Sequence, residues 1–228
     1  MCGRFTLKAP RRLGIPGAGN SQLPAATLLP RYNVAPSQDV LAIIGSEDER
    51  RVSAFVWGLI PSWSKEAKGI INARAETLEL RPSFSDSFQR RRCLIPADGF
   101  YEWQRRGKSK QPYYFQMQDE SEFAFAGIWD RWQKDGDSIV SCAIITTAPN
   151  ELLATIHDRM PVVLSPEAQD KWMRDSEPDD LMKLLTPFPA DEMKSFPVSA
   201  MVNHVKNDEP SLVEPVELVE EPQNLTLF

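Results

Sequence analysis

The chain has 228 residues, 42% hydrophobic and 25% charged, with a formal net charge of -6, which is enough to bury one sizeable core and leads us to expect one domain rather than two. No window approaches the roughly 18 uninterrupted apolar residues of a membrane span, and the N-terminus lacks the basic, apolar and small-residue order of a signal peptide. A soluble, cytoplasmic protein with no membrane partner is therefore expected.

The net charge conceals an asymmetry. Residues 1–118 carry 18 Lys and Arg against 10 Asp and Glu, while residues 119–228 carry 8 against 22, so a basic N-terminal half can still offer an electrostatic footprint to phosphates. Three cysteines, Cys2, Cys93 and Cys142, are odd in number and widely spaced, and they supply neither a disulfide framework nor a CxxC pair for zinc. Cys93 and Cys142 sit at or in apolar runs and read as buried thiols. No metal or organic cofactor is implied.

In chain order, residues 10–25 are rich in Pro and Gly and read as a surface loop. DVLAII (39–44), RVSAFVWGLI (51–60), QPYYFQMQ (111–118), FAFAGIWDRW (123–132), SIVSCAIITT (138–147) and MPVVL (160–164) are rich in β-branched and aromatic residues and read as strands. SFSDSFQRRR (83–92), NELLATIH (150–157), PEAQDKWMR (166–174) and PDDLMKLL (178–185) begin with capping residues or Pro and have apolar spacing nearer 3.6, so they read as helices. The strands come in runs, which predicts a single α+β domain with a mostly antiparallel β-barrel-like core and peripheral helices. Residues 214–228 read as an acidic, flexible tail. Trp129 and Trp132 are assigned to the core.

Chemistry is expected where polar residues interrupt these runs. In MCGRFT, loss of Met1 would leave Cys2 with an α-amine and a thiol on adjacent carbons. With reference pKa values of about 7.7–8.0 and about 8.5, each group is partly nucleophilic near neutrality, and such a 1,2-aminothiol condenses with an aldehyde to a thiazolidine. NARAET places Asn72, Arg74 and Glu76 at alternate positions, on one face of an extended segment. Glu102 stands between aromatics in FYEW, where desolvation would raise its pKa, although a salt-bridged carboxylate fits the same place. His157 in IHDRMP, one of two histidines, is either structural or a proton donor near pH 7.

Together these segments resemble the SRAP family (SOS response-associated peptidase, abasic site processing proteins). MCGRFT (1–6), RYNVAP (31–36), WGLIPSW (57–63), INARAET (71–77), RRCLIPADGFYEW (91–103), IHDRMPVVL (156–164) and VNHVKND (202–208) follow the family's order. The resemblance implies capture of abasic sites in single-stranded DNA as a covalent DNA-protein crosslink through Cys2, with Asn72, Glu102 and His157 as catalytic neighbours. Arg4, Asn33, Trp63, Arg74, Trp103 and Arg159 are implied as DNA-contacting positions. It also implies self-removal of Met1 and a weak strand-cleaving lyase activity. In the expected chemistry His157 assists opening of the sugar ring, Glu102 moves protons during imine formation, and Asn72 orients the amine or a sugar hydroxyl. Two rivals share these residues. One is an N-terminal-nucleophile amidohydrolase, which would release ammonia from glutamine, and the other is a non-covalent nucleic-acid-binding module in which Cys2 is incidental.

Overall fold

The computed structural model describes residues 2–10, 23–45, 50–107, 109–174 and 176–218. In chain order its strands are β1 (Arg4–Leu7), β2 (Arg31–Val34), β3 (Asp39–Ile44), β4 (Arg51–Trp57), β5 (Asn72–Arg74), β6 (Arg92–Ala97), β7 (Gly99–Arg106), β8 (Ser109–Met117), β9 (Phe123–Lys134), β10 (Asp137–Thr147), β11 (Met160–Pro161), β12 (Val163–Leu164) and β13 (Met193–Pro197). The helices are α1 (Ser85–Arg90), α2 (Glu151–Ala154), α3 (Pro166–Met173) and α4 (Pro178–Met182). They form the expected α+β domain.

One sheet runs β13-β8-β7-β1-β2, and the other runs β11-β10-β4-β3-β6-β9-β12. Because β10 pairs with β9 as well as with β4, the strands β10, β4, β3, β6 and β9 close into a five-stranded barrel, which leaves these strands no open edge. Period-two alternation then sorts the side chains. Val40, Ala42, Ile44, Phe55, Trp57, Cys93, Ile95, Phe125, Cys142 and Ile144 join one buried cluster with Phe5, Phe100 and Phe115 of the other sheet. Their neighbours Ile43, Leu94, Ala126, Ile128 and Ile145 pack outward against Phe88 of α1, Trp172 of α3 and Leu181 of α4. Phe5 makes edge contacts with Trp57 and Phe125 at 5.3 and 5.8 Å between ring centroids, which locks the first strand of the chain onto the barrel.

Several boundaries differ from the sequence-based expectation, each for a local reason. The 51–60 run stops at Trp57 because Gly58 adopts φ +140, a conformation that favours glycine. MPVVL divides at Val162, which receives the N–H of Ala126 in β9 and donates its own to Ile145 in β10, so the segment crosses from one barrel strand to the next. The 83–92 helix ends at Arg90, since Arg92 opens β6. Residues 150–157 keep one α-helical turn, with the Asn150 side chain accepting the N–H of Leu153 at 2.9 Å as a cap. The Pro- and Gly-rich segment lies mostly outside the described residues, as does the end of the acidic tail. Pro215 bridges to Val198 and Val216 donates to Pro197 at 2.9 Å, so the chain stays attached past residue 213. Cys93, Cys142 and Trp132 are buried, and Trp129 packs against the core. Among the described residues no helix is long and apolar enough to cross a membrane.

Gly99 illustrates how tightly β7 packs within its own sheet, between β1 and β8. A Cβ placed there would lie 2.0 Å from the Tyr114 hydroxyl, which itself bonds Thr6 Oγ1 at 2.8 Å, while Thr6 Oγ1 donates to the buried Asp98 carboxylate. Gly99→Ala must therefore displace a buried ring and open that network. We expect a loss of about 1–3 kcal/mol of stability, read as a lower urea midpoint at unchanged slope.

Candidate active site

The antiparallel pairing of β1 with β7 sets Arg4 beside Tyr101 and Phe5 beside Phe100. Continuing this register toward the N-terminus brings Gly3 and Cys2 alongside Glu102 and Trp103. From the other side, β5 runs parallel to β10 with Asn72 opposite Ile144, and Asn72 Nδ2 donates to the carbonyl oxygen of Cys2 at 2.8 Å. His157 follows α2, its backbone N–H bonded to Leu153 O at 2.9 Å, and its Nε2 stands 4.0 Å from Glu102 Oε2. Four segments far apart in sequence thus converge on one spot. Of the ten expected site residues, Cys2, Asn72, Glu102 and His157 are brought together, with Arg4 and Trp103 on the rim of the same pocket.

That pocket has a volume of about 420 Å³ and is lined by Arg4, Glu102, Trp103, Lys110, His157 and Asn203. Cys2 lies behind it with no exposed surface. Its Sγ points at the Arg4 carbonyl oxygen, 3.7 Å away. Burial, reinforced by the nearby Glu102 carboxyl, pushes the thiol pKa well above its ordinary value. The expectation of a partly ionised thiol at neutrality is corrected here, because reference values assume solvent around the sulfur.

Glu102 is 1% exposed, and burial raises its pKa from 4.5 to about 7, so near neutrality it both gives and takes a proton. Burial lowers the pKa of His157. Its Nδ1 accepts the backbone N–H of Arg159 at 3.0 Å, which leaves the proton of the neutral ring on Nε2, toward Glu102. Asp158 Oδ1 is also 3.1 Å from Nδ1, but its side chain is 90% exposed, and solvent screening makes it the weaker partner. Glu102 is thus able to hold or release a proton near pH 7, and the neutral His157 ring presents its Nε2–H. Asn72 fixes the main chain of Cys2, while its buried Oδ1 has no hydrogen-bond partner among the described residues.

The expected DNA contacts stand in different surroundings. Arg4 reaches Gly3 O at 3.1 Å and Asn203 O at 3.5 Å, and Trp103 Nε1 donates to Asn203 Oδ1 at 2.7 Å. Arg74 is exposed at the end of β5. Arg159 is already engaged, with Nη1 and Nη2 on the two oxygens of Glu76 at 2.7 and 3.0 Å and Nη2 also on Thr146 O at 2.7 Å. Trp63 is 63% exposed and lines a separate cavity with Pro61 and Ile70. Asn33 has no exposed surface and faces the carbonyls of Val202, His204 and Asn207. Its expected direct contact with DNA is corrected to a structural role. Lys110 and Asn203 were missed by the sequence reading; Asn203 lies in the VNHVKND block, which was recognised without assigning any of its residues a task.

The fold is a five-stranded barrel joined to a second sheet, whose β1–β7 ladder holds the first residues of the chain against a buried carboxyl. The chain belongs to the SOS response associated peptidase (SRAP) family, whose pattern matches residues 1–205. It is 45% identical over 222 residues to abasic site processing protein YoqW of Bacillus subtilis (strain 168), covering 94% of this chain and 99% of that one. It is 34% identical over 189 residues to abasic site processing protein YedK of Escherichia coli (strain K12), covering 82% and 85%. Abasic site processing protein HMCES of Gallus gallus is 33% identical over 227 residues, covering 83% and 67%. Among solved structures, a protein from Bacteroides thetaiotaomicron superposes with a TM-score of 0.83 at 28% identity, covering 95% of this chain and 100% of that one.

The carboxyl at the centre of the site makes a stability prediction. Because its folded pKa of about 7 exceeds the 4.5 of an exposed Glu, the folded state binds the extra proton, and stability falls as pH rises from 4.5 through 7. Glu102→Gln removes this dependence. Denaturation at pH 5 and pH 8 should show the wild type losing on the order of 3 kcal/mol relative to the variant.

Proposed function

We propose that this protein recognises abasic sites in single-stranded DNA and captures them covalently through Cys2 once Met1 has been removed. The observation that carries the reading is the convergence of Cys2, Asn72 and Glu102 in one buried cluster behind the pocket that holds His157. The names of the relatives, abasic site processing proteins, support the same substrate.

Removal of Met1, by the protein itself or by an aminopeptidase, frees the amine of Cys2, whose side chain has no exposed surface. The Asn72 Oδ1 is the acceptor for that amine. An abasic deoxyribose is mostly a closed hemiacetal, and proton donation toward its ring oxygen from the pocket, where His157 Nε2–H and the Glu102 carboxyl lie, assists opening to the aldehyde. The amine then attacks C1′. The carbinolamine loses water with a proton delivered by Glu102, giving a protonated imine and leaving Glu102 as the carboxylate. The Cys2 thiol, kept protonated by burial, needs a base to attack; the Glu102 carboxylate takes its proton and so regains the acid form, sulfur adds to the iminium carbon, and the nitrogen keeps the hydrogen it already carries as the neutral ring N–H of the thiazolidine. The net change is aldehyde plus aminothiol to thiazolidine plus water. An imine that escapes ring closure undergoes β-elimination instead, so weak strand cleavage is part of the same proposal.

Around this centre Arg4 and Arg74 are the cations for phosphates, and Trp103 and Trp63 are the surfaces for bases, each stack worth about 1–3 kcal/mol. Arg159 joins them only when a phosphate displaces the Glu76 carboxylate. Glu76→Gln should therefore tighten binding to single-stranded oligonucleotides and steepen the plot of log affinity against log salt by about 0.7, measured by fluorescence anisotropy.

Intact-mass analysis tests the whole reading. The purified protein should lack one methionine and gain the mass of an abasic oligonucleotide, less one water, and Cys2→Ala should gain nothing. Glu102→Gln should lower the rate of adduct formation by about 10²–10⁴. A Met-processed wild type that stays unmodified beside intact abasic DNA overturns the proposal.

A further inference from the structure

We infer that the segment 202–208 is a positioning wall of the Glu102–His157 pocket and that Asn203 is the residue through which it acts, holding Trp103 in place for single-stranded DNA. The inference rests on the function proposed above and assigns a task to a part of the chain that carries none so far. Three sets of contacts fasten the segment. The Asp208 carboxylate takes the backbone N–H of Tyr32 through Oδ1, that of Asn33 through the same oxygen at 3.0 Å, and Arg31 Nε through Oδ2 at 2.7 Å. The buried Asn33 Nδ2 faces Asn207 O, His204 O and Val202 O at 2.8, 3.1 and 3.2 Å. Val202 is fully buried with Tyr101 and Tyr114.

All of these anchors belong to β2 or to the sheet it closes, and β2 pairs with β1, which pairs with β7. The wall is therefore held by the same sheet that carries Arg4 and Glu102. From that fixed backbone one exposed side chain reaches the pocket. Asn203 Oδ1 accepts the Trp103 indole N–H at 2.7 Å, and its main-chain oxygen lies 3.5 Å from Arg4 Nη2. A tied indole has one orientation at the pocket mouth instead of several, so less conformational freedom is lost when a sugar or base packs on it. Asn203 need not touch the DNA to have this effect.

The test measures adduct formation with an oligodeoxynucleotide carrying one abasic site, as a function of DNA concentration, for wild type, Asn203→Ala, Trp103→Phe and the double variant. Asn203→Ala should raise the half-saturating concentration about three- to tenfold, more than it lowers the maximal rate, and should shift the Trp103 indole N–H resonance in ¹H–¹⁵N spectra. Because Phe has no N–H to tie, adding Asn203→Ala to Trp103→Phe should change the half-saturating concentration by less than about 1.5-fold. Asn203→Asp, which keeps the acceptor, should leave the indole resonance near its wild-type position. If Asn203→Ala matches wild type, or if its effect is undiminished in the Trp103→Phe background, the inference is wrong while the proposed function stands. A wild type that forms no adduct overturns both.

Discussion

The whole site depends on the antiparallel ladder between β1 and β7. Four residues, Arg4–Leu7, are enough to bind the beginning of the chain to the strand that carries Glu102, and Phe5 then fills the barrel mouth against Trp57 and Phe125. Chain termini usually fray because little burial offsets the entropy of ordering them. Here the order extends to residue 2, and Cys2 is as buried as the barrel interior. The function proposed above needs this anchoring, since an amine on a mobile arm would sample many positions and rarely the one beside a proton donor.

The cost of that anchoring is paid in ionisation. The same burial that fixes Cys2 raises the pKa of its thiol, and the same apolar wall raises Glu102 to about 7. Neither group is at its solution value, and the two shifts are complementary: the thiol cannot lose its proton unaided, and the carboxyl beside it is poised to accept one. His157 is displaced in the opposite sense by burial, which suits it to donate a hydrogen bond from Nε2 rather than to carry charge. A separation of acid, base and neutral donor follows from one structural condition, the exclusion of water from the end of β1.

Most of the barrel was legible in the sequence because its strands are long and apolar, and 39–44, 123–134 and 137–147 are paired on two sides. What was missed is short or mixed, apart from β6, an apolar barrel strand whose first residue closes the expected 83–92 helix. β1, β2 and β5 have three or four residues each, too few to display a period, and β7 carries Glu102 and two arginines where alternation would be sought. These are the elements that hold the site. The residue types there were legible, Cys2, Asn72, Glu102 and His157 included, because polar groups in apolar runs stand out and because seven ordered blocks resemble one family. Their partners were not. Asn33, expected to contact DNA, is buried against the carbonyls of Val202, His204 and Asn207; Arg159, also expected to contact DNA, is paired with Glu76; and Asn203 and Lys110 carry no sequence expectation. Each depends on a contact across many tens of residues, which no local pattern records.

The pairing of Arg159 with Glu76 bears on how a protein of net charge -6 handles a polyanion. Glu76 is half exposed, and its pKa is held down chiefly by the hydrogen bonds from Arg159, so it remains ionised throughout the physiological range. Arg159 Nε is buried and its terminal nitrogens are occupied; any phosphate must exchange with a carboxylate rather than add to a vacant fork. Exchange of one anion for another recovers little Coulomb energy on its own. Under the function proposed above, affinity for undamaged strands is thereby kept modest, and the free energy that retains a lesion is assigned to the covalent step. Weak general binding and strong local capture would then follow from one arrangement: a cation already paired at the surface and a thiol with no exposed surface.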